Sequence, residues 1–217
     1  MTAKLYKLDL SPPARAAMMG CEVFNLPVEM IDVDLVNRAN YSPEFLKKNP
    51  AHTVPVLIDG DFIIHDSHAI LTYLADAYGK DDSLYPKDLK KRTAVNQKLF
   101  FDTAVLFPRL RNVTYPVIIE DAAGPSEKQL NEIEEAYGFL EQFLSQTKYI
   151  AGDDLTIADI SAFADVTSLV HLLPLNVTKY PKVQAWIKNM EKQPFCQKYN
   201  APGAEILGKV YKDKISS

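Results

Sequence analysis

Cysteine is nearly absent. The 217 residues include two, Cys21 and Cys196, far apart and in no metal-ligand spacing. That argues against a disulfide framework and fits a reducing compartment. No apolar run approaches the roughly 20 residues of a membrane span. Lys4, Lys7 and Asp9 interrupt the N-terminal stretch, so it lacks the apolar centre of a signal peptide. Positive charge is not in excess either. Lys and Arg number 24 against 28 Asp and Glu, a net charge of -4, which gives no general attraction to phosphate backbones. A glycine-rich phosphate loop, a His-x-x-x-His pair, a Gly-x-Ser-x-Gly elbow and clustered metal ligands are all missing. Hydrolase, nucleotide-binding and metal-site readings therefore lack support. What is present, 47% hydrophobic and 24% charged residues, is the balance of a globular chain long enough to bury a core. The expectation is a soluble, cytoplasmic protein with no nucleic-acid or membrane partner and no metal.

The first 80 residues differ from the rest. A strand-like run from Lys4 to Asp9 leads to Ser11-Pro12-Pro13 and a helix-forming stretch from Ala14 to about Asn25. Ser11 is a favoured N-cap, and proline is favoured at the first helical position. Val28 to Leu35 reads as a second strand. Val54–Asp59 and Phe62–His65 flank Asp59-Gly60-Asp61 as a hairpin, and Ser67 opens a helix that ends at Gly79. The order β-α-β, β-β-α predicts a small mixed sheet with helices over residues 1–80. A charged segment, 81–90, reads as a linker. Residues 91–217 read as helical. Leu99, Thr103, Leu106, Leu110 and Val113 keep one helix face, interrupted by Pro108. Leu130, Ile133, Tyr137, Leu140 and Leu144 form a second stripe, and Val183, Trp186, Ile187 and Met190 a third. Thr156-Ile157-Ala158-Asp159 fits a capping box.

Several residues have two readings at this point. Ser11 is either a plain N-cap or an anion-binding group at a helix N-terminus. It stands where a thioredoxin-type protein carries Cys-x-x-Cys, and without thiols disulfide exchange is excluded there. Pro55, after His52-Thr53-Val54, is either an ordinary strand-start proline or a cis proline that frees the Val54 backbone to pair with an extended peptide. Asp66-Ser67-His68 either caps a helix or holds the two charges of an amino-acid head group. Phe107, Arg109, Arg111, Tyr115 and Ile118 either line an apolar pocket or present snorkelling arginines to solvent. His171, in an apolar run, reads as a core residue.

Taken in order, these segments resemble the cytosolic glutathione transferases along essentially the whole chain. Leu5-Tyr6, Ser11-Pro12-Pro13-Ala14-Arg15, Ser42-Pro43-Glu44-Phe45-Leu46, His52-Thr53-Val54-Pro55-Val56-Leu57 and His65-Asp66-Ser67-His68-Ala69-Ile70 look most like the insect delta and epsilon classes, with the Ser-Pro-Pro and Asp-Ser-His forms leaning to epsilon. The Thr156–Asp159 box also matches the family's helical-domain signature.

The resemblance implies a thioredoxin-like α/β domain that binds glutathione and an all-α domain that supplies most of the electrophile pocket. It implies Ser11 as hydrogen-bond donor to the glutathione sulfur. Val54 would pair through its backbone beside a cis Pro55, Asp66 and Ser67 would grip the γ-glutamyl head group, and His52 and His68 would lie near the glycyl or thiol end. Leu35, Phe107, Arg111, Tyr115, Ile118 and Leu207 are the implied electrophile-pocket residues. Glutathione would be the cosubstrate with no further cofactor, the assembly a homodimer, and the activity conjugation to small apolar electrophiles. Reduction of organic hydroperoxides would be a side reaction, and carriage of ligands such as steroids with little turnover the alternative. Two departures stand out: Asp66 replaces the usual glutamate, and Asn40-Tyr41 stands where epsilon members often have His-Leu.

Overall fold

Ala3 and Leu5 turn inward along the first strand while Lys4 points to solvent, which fixes the buried face of a four-stranded sheet. The computed structural model describes residues 2–216. Strand β1 (Ala3–Lys7) pairs in parallel with β2 (Val28–Asp32) and antiparallel with β3 (Val56–Asp59), which pairs antiparallel with β4 (Phe62–His65). The order is β2-β1-β3-β4, with Leu5 opposite both Met30 and Leu57. A parallel neighbour requires a crossover, and helix α1 (Pro12–Val23) supplies it. Helix α3 (Ser67–Tyr78) follows β4 and packs on α1.

Three strand boundaries fall short of expectation: β1 stops at Lys7 rather than Asp9, β2 at Asp32 rather than Leu35, and β3 starts at Val56 rather than Val54. A 3-10 turn at Ala39–Tyr41 and a four-residue helix, α2 (Pro43–Leu46), fill the intervening segment. Gly79 does end α3, though in an extended conformation. A Cβ there would stand 2.4 Å from the Ala75 carbonyl oxygen, so the close approach of the chain, and not a left-handed turn, requires glycine.

The remaining helices are α4 (Leu89–Phe101), α5 (Phe107–Ile119), α6 (Glu127–Gln146), α7 (Ile157–Leu172), α8 (Pro181–Met190) and α9 (Ala201–Ser216). Between α4 and α5 the chain makes a π turn, Asp102–Leu106, closed by the Phe107 N–H on the Asp102 carbonyl. Pro108 follows directly, and the wider turn accommodates a residue that has no N–H and would clash with the carbonyl four positions back. Pro116 lies inside α5. The Asn112 carbonyl it leaves without a helical donor accepts instead from Gln129 Nε2 of α6 at 2.7 Å.

Helix α7 is buried along most of its length, and its neighbours α1, α4 and α9 cover it. Asp159 anchors its start. Oδ2 accepts from the Thr156 N–H and hydroxyl, and Oδ1 from the Ile150 N–H and the Trp186 indole, all at 3.0 Å. Burial pushes its pKa up to about 6, while those four donors pull the other way.

The sheet side and the helical side share one continuous apolar core. Arg15 of α1, fully buried, ties them together. Its guanidinium donates to the Asp9 and Leu10 carbonyls, to Asn200 Oδ1, and to the Ala164 carbonyl and Ser168 hydroxyl of α7. Burial lowers its pKa only to about 10, so it stays a cation at neutral pH. Gly203 of α9 lies so close that a Cβ would come within 2.3 Å of the Asp9 carbonyl oxygen.

Candidate active site

The turn that Arg15 and Gly203 hold in place leads straight into Ser11. Ser11 caps α1, its Oγ accepting from the Ala14 N–H at a long 3.4 Å. That bond occupies an acceptor position and leaves the hydroxyl proton free to donate. Pro12 and Pro13 carry no N–H, and the Arg15 N–H is spent on the Ser11 carbonyl. The helix end therefore offers no row of free amides to an anion, contrary to the expectation from the cap alone, and the Ser11 hydroxyl is the donor at hand.

Ser11 opens onto a cavity of about 700 Å³ between the sheet domain and α5 and α7. Val54 and Pro55 line it, the bond between them is cis, and the Val54 N–H and C=O lie outside the strand ladders. His52 and Thr53 precede them on the same wall. Asn40, which also lines the cavity, donates from Nδ2 to the His52 carbonyl at 2.6 Å, steadying this loop. The Tyr41 ring stacks on His52 at 4.4 Å, and the Arg38 guanidinium lies 4.5 Å over Tyr41.

At the start of α3, Asp66 holds φ at +77°, a region most side chains avoid, and Oδ1 caps the helix by accepting from His68 and Ala69 N–H groups. Burial alone would raise its pKa. His68 and those amides outweigh that and hold it below the usual carboxylate range. Ser67 is buried beside it and also lines the cavity.

His68 reaches across to the helical side. Its Nε2 lies 2.9 Å from Asp102 Oδ2 of the π turn, and Nδ1 lies 3.4 Å from Asp66 Oδ1. Burial disfavours the imidazolium, but the two carboxylates win, and its pKa rises to about 9. Asp102 also accepts from the Ser161 hydroxyl of α7. Asp165, one turn further along α7, is pushed well up in pKa by burial first and by facing Asp102 second. The Oδ1 atoms of Asp102 and Asp165 are buried and have no hydrogen-bond donor among the described residues.

The opposite wall is apolar. Leu35 and Val36 come from the loop after β2, and Phe107, Tyr115 and Ile119 from α5, with Arg111 among them. Thr103, Phe107, Arg111, Tyr115 and Ile119 recur at spacing four, one inclined ridge of the helix. Ile118 is one position off that ridge and does not line the cavity; Ile119 takes its place. Leu207 is buried on the inner face of α9, away from the cavity. Arg109 turns to α6, donating to the Glu132 carbonyl and pairing with Glu135. His171 is only half-buried, with Gly208 of α9 against its ring.

The structure thus brings Ser11, His52, Val54, Pro55, Asp66, Ser67 and His68 to one cavity with Leu35, Phe107, Arg111 and Tyr115. Asp102, Ser161, Asp165 and Arg38 join them, and only the polar residues Ser161 and Asp165, four apart in an apolar helix, left a trace in the sequence. Among the described residues no three His, Cys, Asp or Glu side chains are grouped to hold a metal ion. Both cysteines are buried, and burial pushes their thiols up to about 12.

Residues 5–82 match the family model for the glutathione S-transferase N-terminal domain, and residues 107–194 the one for its C-terminal domain. The chain is 44% identical to glutathione S-transferase 1 of Manduca sexta over the full length of both. An epsilon-class glutathione S-transferase from the housefly, Musca domestica, superposes with a TM-score of 0.95 at 46% identity, covering 98% of each chain. A glutathione transferase homolog from Drosophila mojavensis, solved with bound glutathione, does so with a TM-score of 0.95 at 42% identity, over 98% of this chain and 97% of that one. The chain belongs to the glutathione S-transferase family, with the transferase fold of the insect epsilon type.

Proposed function

We propose that the protein conjugates glutathione to small apolar electrophiles, with Ser11 stabilising the thiolate. The observation that carries this is the free Ser11 hydroxyl at the head of a cavity with a polar half and an apolar half. The sheet domain, 1–80, binds glutathione in this reading, and the helical domain, 91–217, supplies most of the electrophile wall. Val54 pairs through its backbone with the cysteinyl unit, next to Pro55. Asp66 and Ser67 receive the γ-glutamyl ammonium and carboxylate, and His52 lies toward the glycyl end. Asp66 is shorter than glutamate, and its Oδ2 remains available after Oδ1 has capped α3.

A free thiol with a pKa of about 8.5 is only a few per cent thiolate near neutral pH. Lowering it by about two units takes roughly 2.7 kcal/mol of selective stabilisation. One hydroxyl donating to an anion gives about 1.5–3 kcal/mol. The dipole of α1 adds about 0.3–1 kcal/mol, reduced here because Pro12 and Pro13 present no N–H groups. The hydroxyl therefore carries the larger share. The thiol proton leaves to solvent, sulfur forms the bond to carbon, and the leaving group departs with the electron pair of the bond that breaks. Holding the electrophile beside the sulfur supplies much of the remaining rate. The same thiolate can reduce organic hydroperoxides. The setting this fits is detoxification in the cytoplasm by a homodimer.

Steady-state conjugation of 1-chloro-2,4-dinitrobenzene tests the proposal. Wild-type protein should turn over, and Ser11→Ala should lose about ten- to a hundred-fold in kcat/KM, as the loss of one such hydrogen bond requires. Saturable binding of apolar ligands without any conjugate would identify a carrier instead.

A further inference from the structure

Among the described residues, the apolar wall of the cavity holds one cation, Arg111, with no ion-pair partner. Arg111 sits mid-way along the α5 ridge, between Phe107 and Tyr115, and its guanidinium lies 4.6 Å from the Tyr115 ring centre. No carboxylate of the described residues takes it up. Arg109, two residues earlier, pairs with Glu135 instead. Glu132, in the shallow groove on the other side of Arg111, lies 3.9 Å from Lys128. The acids of the cavity are engaged elsewhere: Asp66, capping α3, and Asp102, in the π turn, flank His68, and Asp165 of α7 faces Asp102.

From this placement we infer that the electrophile site selects compounds with an apolar body and a distal carboxylate, the carboxylate being received by Arg111. The inference rests on the conjugating function proposed above. An unpaired guanidinium beside an aromatic face presents its fork of donors to a planar anion, and a carboxylate can accept two of them in parallel. Leu35, Val36, Phe107 and Ile119 would enclose the apolar body. Unsaturated carbonyl compounds derived from fatty acids, which combine an electrophilic carbon, a chain and a terminal acid, are the chemical class that fits. In their conjugation the thiolate sulfur bonds to the β-carbon, the carbon–carbon double bond shifts its pair to the α-carbon, and that carbon takes a proton from water, so nothing else is consumed.

Arg38, which among the described residues also lines the cavity without a carboxylate partner, lies over Tyr41 on the His52 side and serves as the internal comparison. The experiment measures kcat/KM for ethacrynic acid, an enone with a distal carboxylate, and for its methyl ester, in wild-type, Arg111→Gln and Arg38→Gln proteins. Ultraviolet titration of bound glutathione is run on each. The expected acid-to-ester ratio is about three- to ten-fold higher in wild type than in Arg111→Gln, as one partly exposed charge pair would give. Arg38→Gln should keep the wild-type ratio. Added salt should lower the ratio in wild type and leave it in Arg111→Gln. Equal ratios in wild type and Arg111→Gln, or a fall confined to Arg38→Gln, would overturn the assignment of the carboxylate to Arg111 while conjugation itself stands. An unshifted thiol with neither compound turned over would overturn the conjugating function, and this inference with it.

Discussion

His68 draws its charge from two carboxylates, Asp66 two residues before it and Asp102 across the domain interface. Its folded pKa of about 9 stands above the ordinary 6.5, so the stability it contributes is fully present below pH 6.5 and is lost as pH rises through 9. The contribution is on the order of 3 kcal/mol for a shift of that size. Urea unfolding at pH 6.5, 7.5 and 9 should show wild type losing stability across that window, and His68→Gln should flatten the decline. Parallel slopes for the two proteins would rule out the His68–Asp102 pair as the cause. At this scale the sequence placed most of the cavity. Ser11, Val54 and Asp66 were legible through the family resemblance, since the local rules of caps, prolines and helix starts left each of them a plain structural reading as well. The partnership of His68 with Asp102 was not, because 34 residues and a domain interface separate them. Nor did the sequence show that Asn40 would spend its amide on the His52 carbonyl.

Among elements, periodicity served well where apolar residues alone mark a face. Ile133, Tyr137, Leu140 and Leu144 are buried as their spacing predicts, with Leu130 at the head of the stripe only half-buried, and Val183, Trp186, Ile187 and Met190 are buried likewise. Thr103 kept step with the buried stripe of its helix yet faces the cavity, because the π turn shifts the register between α4 and α5. A π turn has no sequence period of its own, and Pro108 disclosed only that something must change. The choice of Ile118 over Ile119 failed for a related reason: the cavity follows the spacing-four ridge, on which 119 falls and 118 does not. The Thr156–Asp159 box was readable from four residues, but its reach was not. Asp159 also receives donors from Ile150 and from Trp186 of α8. Asp159→Ala should therefore cost about 3 kcal/mol or more, because several buried donors lose their acceptor together. Trp186, the single tryptophan, reports the unfolding directly by its fluorescence. A loss below about 1 kcal/mol would show that water or rearrangement replaces the carboxylate.

For the molecule as a whole, the two-part division was legible from the change of period near residue 80, whereas the means of joining the parts was not. Arg15 appears in the sequence as an ordinary charged residue of a first helix turn. In the structure its buried guanidinium fastens the turn before Ser11 to α7, so the placement of the hydroxyl depends on both domains. The surface leaves Phe62 on the edge strand β4, together with Leu89 and Phe100, more than half exposed. The homodimer proposed above would cover such groups against a second copy. Sedimentation equilibrium should accordingly give about twice the 24.4 kDa chain mass. A species at the chain mass alone, at working concentration, would contradict the dimer.

In the proposed function the thiol of bound glutathione is where both domains and Ser11 meet, so its titration is the most direct measurement. Thiolate absorbance in the complex, followed against pH, should give a pKa about two units below the free value of about 8.5. In Ser11→Ala most of that shift should vanish while glutathione still binds. Bound glutathione that titrates like the free tripeptide in the wild-type protein, or a shift that survives intact in Ser11→Ala, would contradict thiolate stabilisation by the serine hydroxyl.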